Sequence, residues 1–223
     1  MKRVATLAGR ETAFFLKRSR RRSVGLRVDA NGLTVTIPLA MPEWRLIEIL
    51  EAKSDWIADK LGSLKPPPAF AEGETLSFLG RTCVLRVSPS PKIRVGIEAD
   101  TLLVAVPHPE KIRPALEAWY RKMALAHFAE RVAHFSPILG VKPSALLLSS
   151  AKTRWGSCNS KGEIRLNWHL VRLAPELIDY VVVHELAHLI ELNHSPAFWR
   201  NVERACPDYR NARRELGRGN AMW

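Results

Sequence analysis

A chain of 223 residues, 47% hydrophobic and 25% charged, has the composition of a globular protein and is long enough to bury a core, in one large domain or two small ones. It contains no run of about 18 apolar residues, which excludes a transmembrane helix, and its basic start is not followed by the apolar segment of a signal peptide. We therefore expect a cytoplasmic protein without a membrane partner. The net charge of +12 favours a polyanionic partner such as nucleic acid or a nucleotide.

The positive charge is concentrated in residues 17–22 and in residues 200–218. Such clusters attract polyanions, but a solvated basic surface has the same composition. No aromatic residue interrupts the first cluster, which argues against a surface that stacks nucleic-acid bases. The three cysteines are widely spaced and do not indicate a disulfide framework or a cysteine metal site.

Two segments of the chain predict a β-hairpin followed by a helix. In each, apolar and polar residues alternate around a polar turn, and apolar residues then recur at the three- and four-residue spacing of an amphipathic helix. The first segment has strands at 24–28 and 33–37, a turn at Asn31 and Gly32, and a helix at 42–64; the second has strands at 93–97 and 101–106 and a helix from 109 to about 135. The similarity between the segments is weak, and the sequence alone does not establish a repeat.

The remaining elements complete an α+β fold. A further hairpin is predicted at 75–87 with its turn at Gly80, prolines 66–68 predict a stiff connector, Pro175 opens a long apolar helix, and strands are predicted at 146–149 and 163–167. We expect a β-rich N-terminal part with β-β-α units over residues 1–108, followed by a zincin-like helical part over residues 109–223. The two parts can also form one continuous domain.

The helix that Pro175 opens carries the sequence His184-Glu185-Leu186-Ala187-His188. Two histidines four residues apart project from one face of a helix, one turn apart, which suits two ligands of a tetrahedral zinc ion. Glu185 lies beside the first of them, where a carboxylate can act as a general base in hydrolysis. A buried helix with two histidines and a glutamate also needs partners for those polar groups, and a metal ion provides them.

Two residues are candidates for the third metal ligand. His194 lies six residues after the second histidine, the spacing at which a chain that leaves the helix brings a third imidazole back. Asn193 suits that turn because asparagine tolerates the left-handed conformation. Glu191 is the alternative, since it lies near the same helical face and a His-His-Glu set is also a catalytic zinc site. We favour His194, with Phe198 and Trp199 packing the turn that positions it.

Two stretches of the chain resemble the YgjP-like metal-dependent hydrolases, which are related to the SprT-like zinc metallopeptidases. They are residues 184–199, from the His-Glu-x-x-His sequence to Trp199, and residues 153–158, Thr-Arg-Trp-Gly-Ser-Cys, ahead of residues 162–167. The resemblance covers most of the chain. It implies that His184, His188 and His194 bind zinc and that Glu185 is the general base. It does not imply one substrate, because family members are assigned as peptidases or as nucleotide pyrophosphatases.

The segment Arg154-Trp155-Gly156 is the predicted substrate-binding element. A strand edge beside the zinc helix can pair with an extended peptide, and Gly156 permits close approach of the backbone. Arg154 can bind an anionic group or the developing oxyanion. The alternative roles are core packing for Trp155 and a structural ion pair for Arg154.

We therefore predict a zinc metallopeptidase that cleaves peptides or unfolded protein, with Glu185 taking a proton from the attacking water and delivering it to the leaving amine. One alternative is a metal-dependent nucleoside triphosphate pyrophosphatase, in which arginines bind the phosphates. The other is a DNA-associated basic protein in which zinc is structural.

Overall fold

The computed structural model describes residues 2–7, 9–29, 32–62 and 69–218. By its internal contacts the chain forms two compact units, Met1–Pro68 and Ala69–Met222. This boundary lies before the one predicted at residue 108, because the helix Ile112–Leu139 packs against the strands Arg94–Glu98 and Thr101–Val106 within one unit. The predicted proline connector at 66–68 and Asn31 of the first predicted turn lie outside the described residues.

The first unit is a four-stranded sheet with two helices packed on one face. Its elements are β1 (Lys2–Leu7), β2 (Arg10–Ser19), β3 (Gly25–Asp29), β4 (Gly32–Pro38), α1 (Glu43–Glu51) and α2 (Ser54–Gly62). The strand order is β1-β2-β4-β3, with β2 and β4 parallel and both outer strands antiparallel to their neighbours. The buried residues of β4 form one apolar cluster with Phe14, Leu46, Leu50 and Ile57.

Two features of this unit differ from the sequence prediction. Strands β1 and β2 were not predicted, because charged residues at both ends of β2 obscure the alternation between buried Phe14 and exposed Phe15. The helix predicted at 42–64 is divided by a turn at Ala52. Ser54 and Asp55 follow that turn, and both are residue types that favour the start of a new helix.

The second unit begins with a sheet of the same topology. Its strands are β5 (Thr75–Phe78), β6 (Arg81–Pro89), β7 (Arg94–Glu98) and β8 (Thr101–Val106). The order is β5-β6-β8-β7, again with a parallel central pair between antiparallel outer strands. The hairpins predicted at 75–87 and 93–106 are confirmed. The two β-β-α segments therefore share strand order and strand direction, which their weak sequence similarity did not establish.

Helices predominate in the rest of the second unit. The elements are α3 (Ile112–Leu139), β9 (Ala145–Ser149), β10 (Gly156–Cys158), β11 (Glu163–Asn167), α4 (Pro175–Ala187), α5 (Pro196–Ala205) and α6 (Tyr209–Arg218). Helix α4 packs against α3, α5, α6, β10 and β11, so it lies in the centre of this unit. The expected β-rich N-terminal part and helical C-terminal part are thus confirmed. None of the helices in the described ranges is long and apolar enough to cross a bilayer.

A three-stranded sheet lies beside α4. Its order is β10-β11-β9, with β10 antiparallel to β11 and β11 parallel to β9. The short strand β10 is therefore at an edge of this sheet and contacts α4. This arrangement places the edge strand next to the helix with the His-Glu-x-x-His sequence.

The turn between β5 and β6 docks onto the segment that precedes α4. Leu79 and Gly80 both have positive φ, 49° and 75°, as tight hairpin turns require. The Leu79 N–H donates a hydrogen bond to the Val171 carbonyl at 2.7 Å. A Cβ atom on Gly80 would lie 2.8 Å from Cα of Ala174, the N-cap residue of α4. The hairpin thus contacts the start of the central helix.

We expect Gly80→Ala to lower the free energy of unfolding more than Gly9→Ala. Gly9 occupies the corresponding turn between β1 and β2 with φ of 76°, but nothing lies within 4 Å of its Cβ position. Both substitutions place alanine in the left-handed region, at a cost of roughly 1–2 kcal/mol. Only Gly80→Ala adds overpacking, which costs roughly 1–3 kcal/mol more. Urea denaturation measures both variants, and equal losses would contradict docking of the β5–β6 turn.

Candidate metal centre

Helix α4 carries the first two histidines of the predicted site. As predicted, it begins at Pro175, and Glu176 lies in its first turn, where the helix dipole favours an acidic residue. The helix ends at Ala187, and His188 is its C-cap residue with φ of −67°. His188 therefore continues the helical geometry, and its ring centroid lies 5.0 Å from that of His184.

Three imidazoles converge beside the end of α4. One ring nitrogen each from His184, His188 and His194 lies within 4.8 Å of the other two. The Nε2 atoms of His184 and His194 are 3.1 Å apart. Two nitrogen ligands of one tetrahedral metal ion, at metal–nitrogen distances of about 2.0–2.1 Å, are about 3.3 Å apart. Across the described ranges, no other group of histidine, cysteine or acidic side chains can share a metal ion. The three residues fit a metal ion.

Aromatic side chains from α5 hold the three rings in place. Phe198 is fully buried, and its ring centroid lies 5.0, 4.6 and 4.8 Å from those of His184, His188 and His194. Trp199 stacks on His194 at 5.7 Å, and Tyr209 stacks on Trp199 at 5.2 Å. The predicted packing role of Phe198 and Trp199 is confirmed.

The turn from α4 to α5 returns His194 to the end of the helix. The Asn193 Oδ1 atom accepts a hydrogen bond from the Ser195 N–H at 2.9 Å. The Ser195 hydroxyl then caps α5 by accepting from the Phe198 N–H at 3.3 Å. Asn193 lies in the turn for which its residue type was favoured, but it does not use the left-handed conformation that asparagine tolerates. Its side chain, and not its backbone conformation, forms this turn.

Glu191 contacts the site through its backbone. Its carbonyl oxygen lies 3.1 Å from Nδ1 of His188. A carbonyl oxygen only accepts hydrogen bonds, so neutral His188 carries its proton on Nδ1 and keeps a lone pair on Nε2. The Glu191 carboxylate is outside the group of side chains that can share a metal ion. This geometry gives no support to the alternative His-His-Glu ligand set.

Burial keeps the histidines of α4 neutral. The pKa of His184 is lowered to about 3, chiefly by burial and further by His188 and His194. Burial also lowers the pKa of His188, although the hydrogen bond to the Glu191 carbonyl opposes this effect. Neutral imidazole is the form that binds metal ions. The folded chain therefore favours the metal-binding form of both side chains.

Glu185 lies against the edge strand β10. Its side chain is buried, and burial raises its pKa to about 8, while the charge of Arg154 opposes the rise. A Cβ atom on Gly156 would lie 2.6 Å from Cγ and 2.7 Å from Cδ of Glu185, closer than real atoms approach. Only glycine therefore lets the strand reach this carboxylate. The sequence predicts that Gly156 permits the close approach of a substrate backbone, whereas in the structure its close contact is with Glu185.

A buried asparagine that is not among the predicted site residues fixes the chain before β10. Asn167 is fully buried, and its Nδ2 donates to the carbonyls of Ala151 at 2.7 Å and Arg154 at 3.3 Å. Its backbone N–H donates to the Trp155 carbonyl at 2.7 Å. The signal for this role is a polar residue that ends a largely buried strand, since such a residue must find internal partners.

Arg154 and Trp155 lead into β10. Arg154 is exposed and Trp155 is half-buried. No salt bridge within the described part of the chain includes Arg154, which gives no support to the structural ion pair. The charge of Arg154 lowers the pKa of Glu185 and so favours the charged form of this carboxylate.

Two further residues near the predicted motifs have no part in the histidine group. Burial, together with the charge of Glu185, raises the pKa of the Cys158 thiol, which disfavours a thiolate nucleophile. His169 stacks on Trp168 at 3.7 Å and is not among the side chains that can share a metal ion.

Comparison with known proteins identifies the family. A family model described as the YgjP-like metallopeptidase domain matches residues 22–219. The chain belongs to the YgjP-like family. The resemblance stated from the sequence is therefore confirmed, and this YgjP-like chain is a metallopeptidase-type hydrolase. Among curated proteins, no relative matches the chain.

Two solved structures are similar to part of this YgjP-like chain. One is the metallopeptidase zymogen of Pyrococcus abyssi abylysin, with 26% identity over 40% of this chain and 90% of that chain and a TM-score of 0.38. The other is the metallopeptidase zymogen of Methanocaldococcus jannaschii jannalysin, with 20% identity over 40% of this chain and 95% of that chain and a TM-score of 0.34.

The two candidates for the third ligand are distinguished by metal content. We expect His194→Ala to lose bound metal, because two imidazoles remain where three converge, and Glu191→Ala to keep it, because only the Glu191 carbonyl faces the site. Mass spectrometry of the purified proteins measures metal per chain. Loss of metal from Glu191→Ala together with retention by His194→Ala would reverse the assignment.

Proposed function

We propose that this YgjP-like chain is a zinc-dependent peptidase with a zincin-like site that cleaves peptides or unfolded protein. The observation that carries the proposal is the convergence of His184, His188 and His194 beside Glu185, which is buried against an edge strand. Family membership supports peptide-bond hydrolysis. The three histidines, Glu185 and the edge strand have separate roles in this reaction.

The histidine group suits zinc. Three neutral imidazoles favour zinc over magnesium or manganese, which prefer oxygen ligands. His184 and His188 come from one helix, and His194 comes from the turn held by Phe198 and Trp199. When bound, zinc supplies Lewis acidity, which makes water more acidic and polarises the carbonyl to be attacked. Three protein ligands are typical of catalytic zinc sites, whereas structural sites have four.

Glu185 transfers the proton. In peptide hydrolysis, water adds to the carbonyl carbon and the C–N bond breaks, so one proton must pass from the water to the amine nitrogen. The Glu185 carboxylate takes that proton and then delivers it to the leaving amine. Its burial makes it more basic than an exposed glutamate. A cation held by the three histidines, together with the charge of Arg154, would favour the carboxylate form of Glu185, which is the form that accepts a proton.

The substrate lies along β10. Gly156–Cys158 pairs with β11 through one edge, so its other edge is the side on which an extended peptide can add as a further strand. Because Gly156 touches Glu185, a peptide on this edge lies next to the carboxylate. We assign substrate binding to Arg154, Trp155 and Gly156. Arg154 binds a carbonyl or carboxylate oxygen of the peptide through its exposed guanidinium group.

The ligand set of the metal centre gives no support to the two other functions predicted from the sequence. Cleavage of nucleoside triphosphates commonly uses magnesium held by oxygen ligands, whereas the ligand atoms of this site are nitrogens. A structural zinc ion in a DNA-associated protein has four protein ligands, and the group here contributes three.

Glu185→Gln tests the proton-transfer role. We expect the loss of peptidase activity to be at least about 100-fold, because the amide has the shape of the carboxylate but accepts no proton. Zinc content is expected to stay at the wild-type level, since Glu185 is not one of the three converging ligands. Cleavage of an unfolded, fluorescently labelled protein measures activity, and mass spectrometry measures zinc.

The same assays separate the candidate reactions. Each protein is also incubated with nucleoside triphosphates, and released phosphate and pyrophosphate are measured. Peptide cleavage by wild type that persists in Glu185→Gln would overturn the role of Glu185. Phosphate or pyrophosphate release without peptide cleavage would replace the peptidase proposal with the nucleotide reaction.

Gly156→Ala tests the contact between the edge strand and Glu185. The added methyl group would displace either the strand or the carboxylate, so we expect peptidase activity to fall at least about 10-fold while zinc is retained. Ser157→Ala is the matched control, because it removes a hydroxyl group from the neighbouring residue of the same strand. Wild-type peptidase activity in both variants would show that the contact between Gly156 and Glu185 has no part in catalysis.

A further inference from the structure

The sheet of the first unit has an outward face on which an aromatic ring lies among cations. On β2, Phe14 is 4% exposed and faces the helices, whereas Phe15 is 40% exposed and faces outward. The strand register places Phe15 between Lys2 of β1 and Thr34 of β4. On the other side of Thr34 lies Arg27 of β3. Opposite residues on neighbouring strands point to the same face, so these side chains share the outward surface.

The next row of the same face is also basic. Lys17 lies opposite Thr36, and Thr36 lies opposite Gly25. A Cβ atom on Gly25 would lie 2.5 Å from Nη1 of Arg21, so the Arg21 guanidinium covers this glycine on the outward face. We call the face formed by Lys2, Phe15, Lys17, Arg21 and Arg27 the outer sheet surface. No aromatic residue interrupts residues 17–22 in sequence, but strand pairing places Phe15 on the same face as these cations.

The charge of the first unit is unevenly distributed. Residues 1–28 contain nine lysines and arginines and one acidic residue, Glu11. Residues 43–62, which form the two helices on the other face, contain five acidic and three basic residues. Arg3 and Arg18 do not add to the outer sheet surface, because they contact Glu43 and the carbonyls of Leu39 and Met41 on the helical side. The outer sheet surface is positive through Lys2, Lys17, Arg21 and Arg27, and Glu11 shares its face.

The sheet of the second unit provides an internal comparison. It has the same strand order as the sheet of the first unit. Its residues 75–106 contain four basic and two acidic residues, whereas residues 2–38 of the first unit contain nine basic and two acidic residues. Phe14 lies opposite Leu33 in the first sheet, and Leu85 lies opposite Leu102 in the second. Arg86, which follows Leu85, therefore occupies the position that Phe15 has in the first sheet. Arg86 is neutralised by Glu72 at 3.0 Å. The topology therefore does not require an aromatic residue or excess positive charge on this face.

We propose that the outer sheet surface binds single-stranded nucleic acid. Cations that follow a phosphate backbone, combined with an aromatic ring on which a base can stack, are the features by which proteins bind single strands. Phe15 stacks on a base, and Lys2, Lys17 and Arg21 contact phosphates. In a duplex the bases are already stacked on one another, so Phe15 would gain no partner there.

A lipid membrane is the competing anionic surface. Membrane-binding faces combine cations with a broad apolar area. Here Thr34 and Thr36 lie between the cations, and the exposed large apolar side chains on this face are Phe15 and Val4. Mixed threonines and cations around one ring therefore favour nucleic acid. Vesicle binding is accordingly an outcome that would overturn the proposal.

Fluorescence anisotropy with labelled oligonucleotides of about 12 nucleotides tests the proposal on the full chain. Oligo-dT, oligo-U and a DNA duplex are titrated in buffer with a metal chelator, so the result does not depend on the metal centre. We expect single strands to bind more tightly than the duplex, with an affinity that falls steeply between about 50 and 200 mM salt. The relative affinity of oligo-dT and oligo-U identifies DNA or RNA as the preferred strand.

Matched substitutions separate stacking from general charge. Phe15→Ala is expected to weaken binding about 5- to 100-fold, and Phe15→Tyr to restore it, because tyrosine also presents a ring. Lys17→Ala is expected to weaken binding and to reduce the salt dependence by about one counterion. Trp44→Ala and Lys53→Ala are the controls, since both residues are exposed in the helical part of the unit, and we expect wild-type binding from both.

Several results would overturn the proposal. They are no binding of either single strand at low salt, stronger binding to the duplex, wild-type binding by Phe15→Ala, or binding to vesicles of phosphatidylserine and phosphatidylcholine without binding to oligonucleotides. Circular dichroism verifies that each variant is folded. If Phe15→Ala is unfolded, the comparison of Lys17→Ala with Lys53→Ala decides, and equal affinities of those two variants would overturn the assigned face.

Discussion

The contact between Gly156 and Glu185 is the constraint on which the candidate site depends. Helix α4 is packed on several sides, so its position is set by the core and not by the edge strand. Strand β10 can approach Glu185 only because residue 156 has no side chain. The hydrogen bonds of Asn167 to the chain before β10 fix where that approach occurs. One small residue and one buried amide thus place the edge strand beside the carboxylate of the His-Glu-x-x-His sequence.

The parts of the site that are local in sequence were predictable, and the parts that depend on tertiary contacts were not. His184 and His188 share a helical turn, so their spacing alone indicates that their rings meet. Gly156 contacts Glu185, and Asn167 donates hydrogen bonds to the chain before β10. These partners are distant in sequence, so only the fold shows the contacts. Asn193 illustrates an intermediate case. Its residue type indicates a turn, but asparagine can form a turn through its backbone or through its side chain, and the sequence does not distinguish them.

The two four-stranded sheets show the same limit for surfaces. A hairpin is visible in sequence because alternation is local, and the hairpins at 75–87 and 93–106 were predicted for that reason. Which residues share a face of the sheet depends on the pairing of strands, including the parallel pair of β2 with β4. A shift of one residue in that pairing would move Phe15 from the outward face to the helices. The mixture of Phe15 with lysines and arginines is therefore a property of register, and inspection of the basic segment alone missed it.

The metal centre also has consequences for stability. The chain places Glu185 and the rings of α4 in a largely apolar core, and Nδ1 of His184 is buried without a hydrogen-bond partner among the described residues. Such groups lower stability unless they are satisfied, so a metal ion that binds only the folded chain stabilises it. The three ligands do not contribute equally to the fold. His184 lies on the central helix among buried residues, whereas His194 lies on an exposed turn that Ser195 caps and Trp199 supports. Removal of the His194 ring leaves no cavity in the core, and so it separates loss of the metal from loss of the fold.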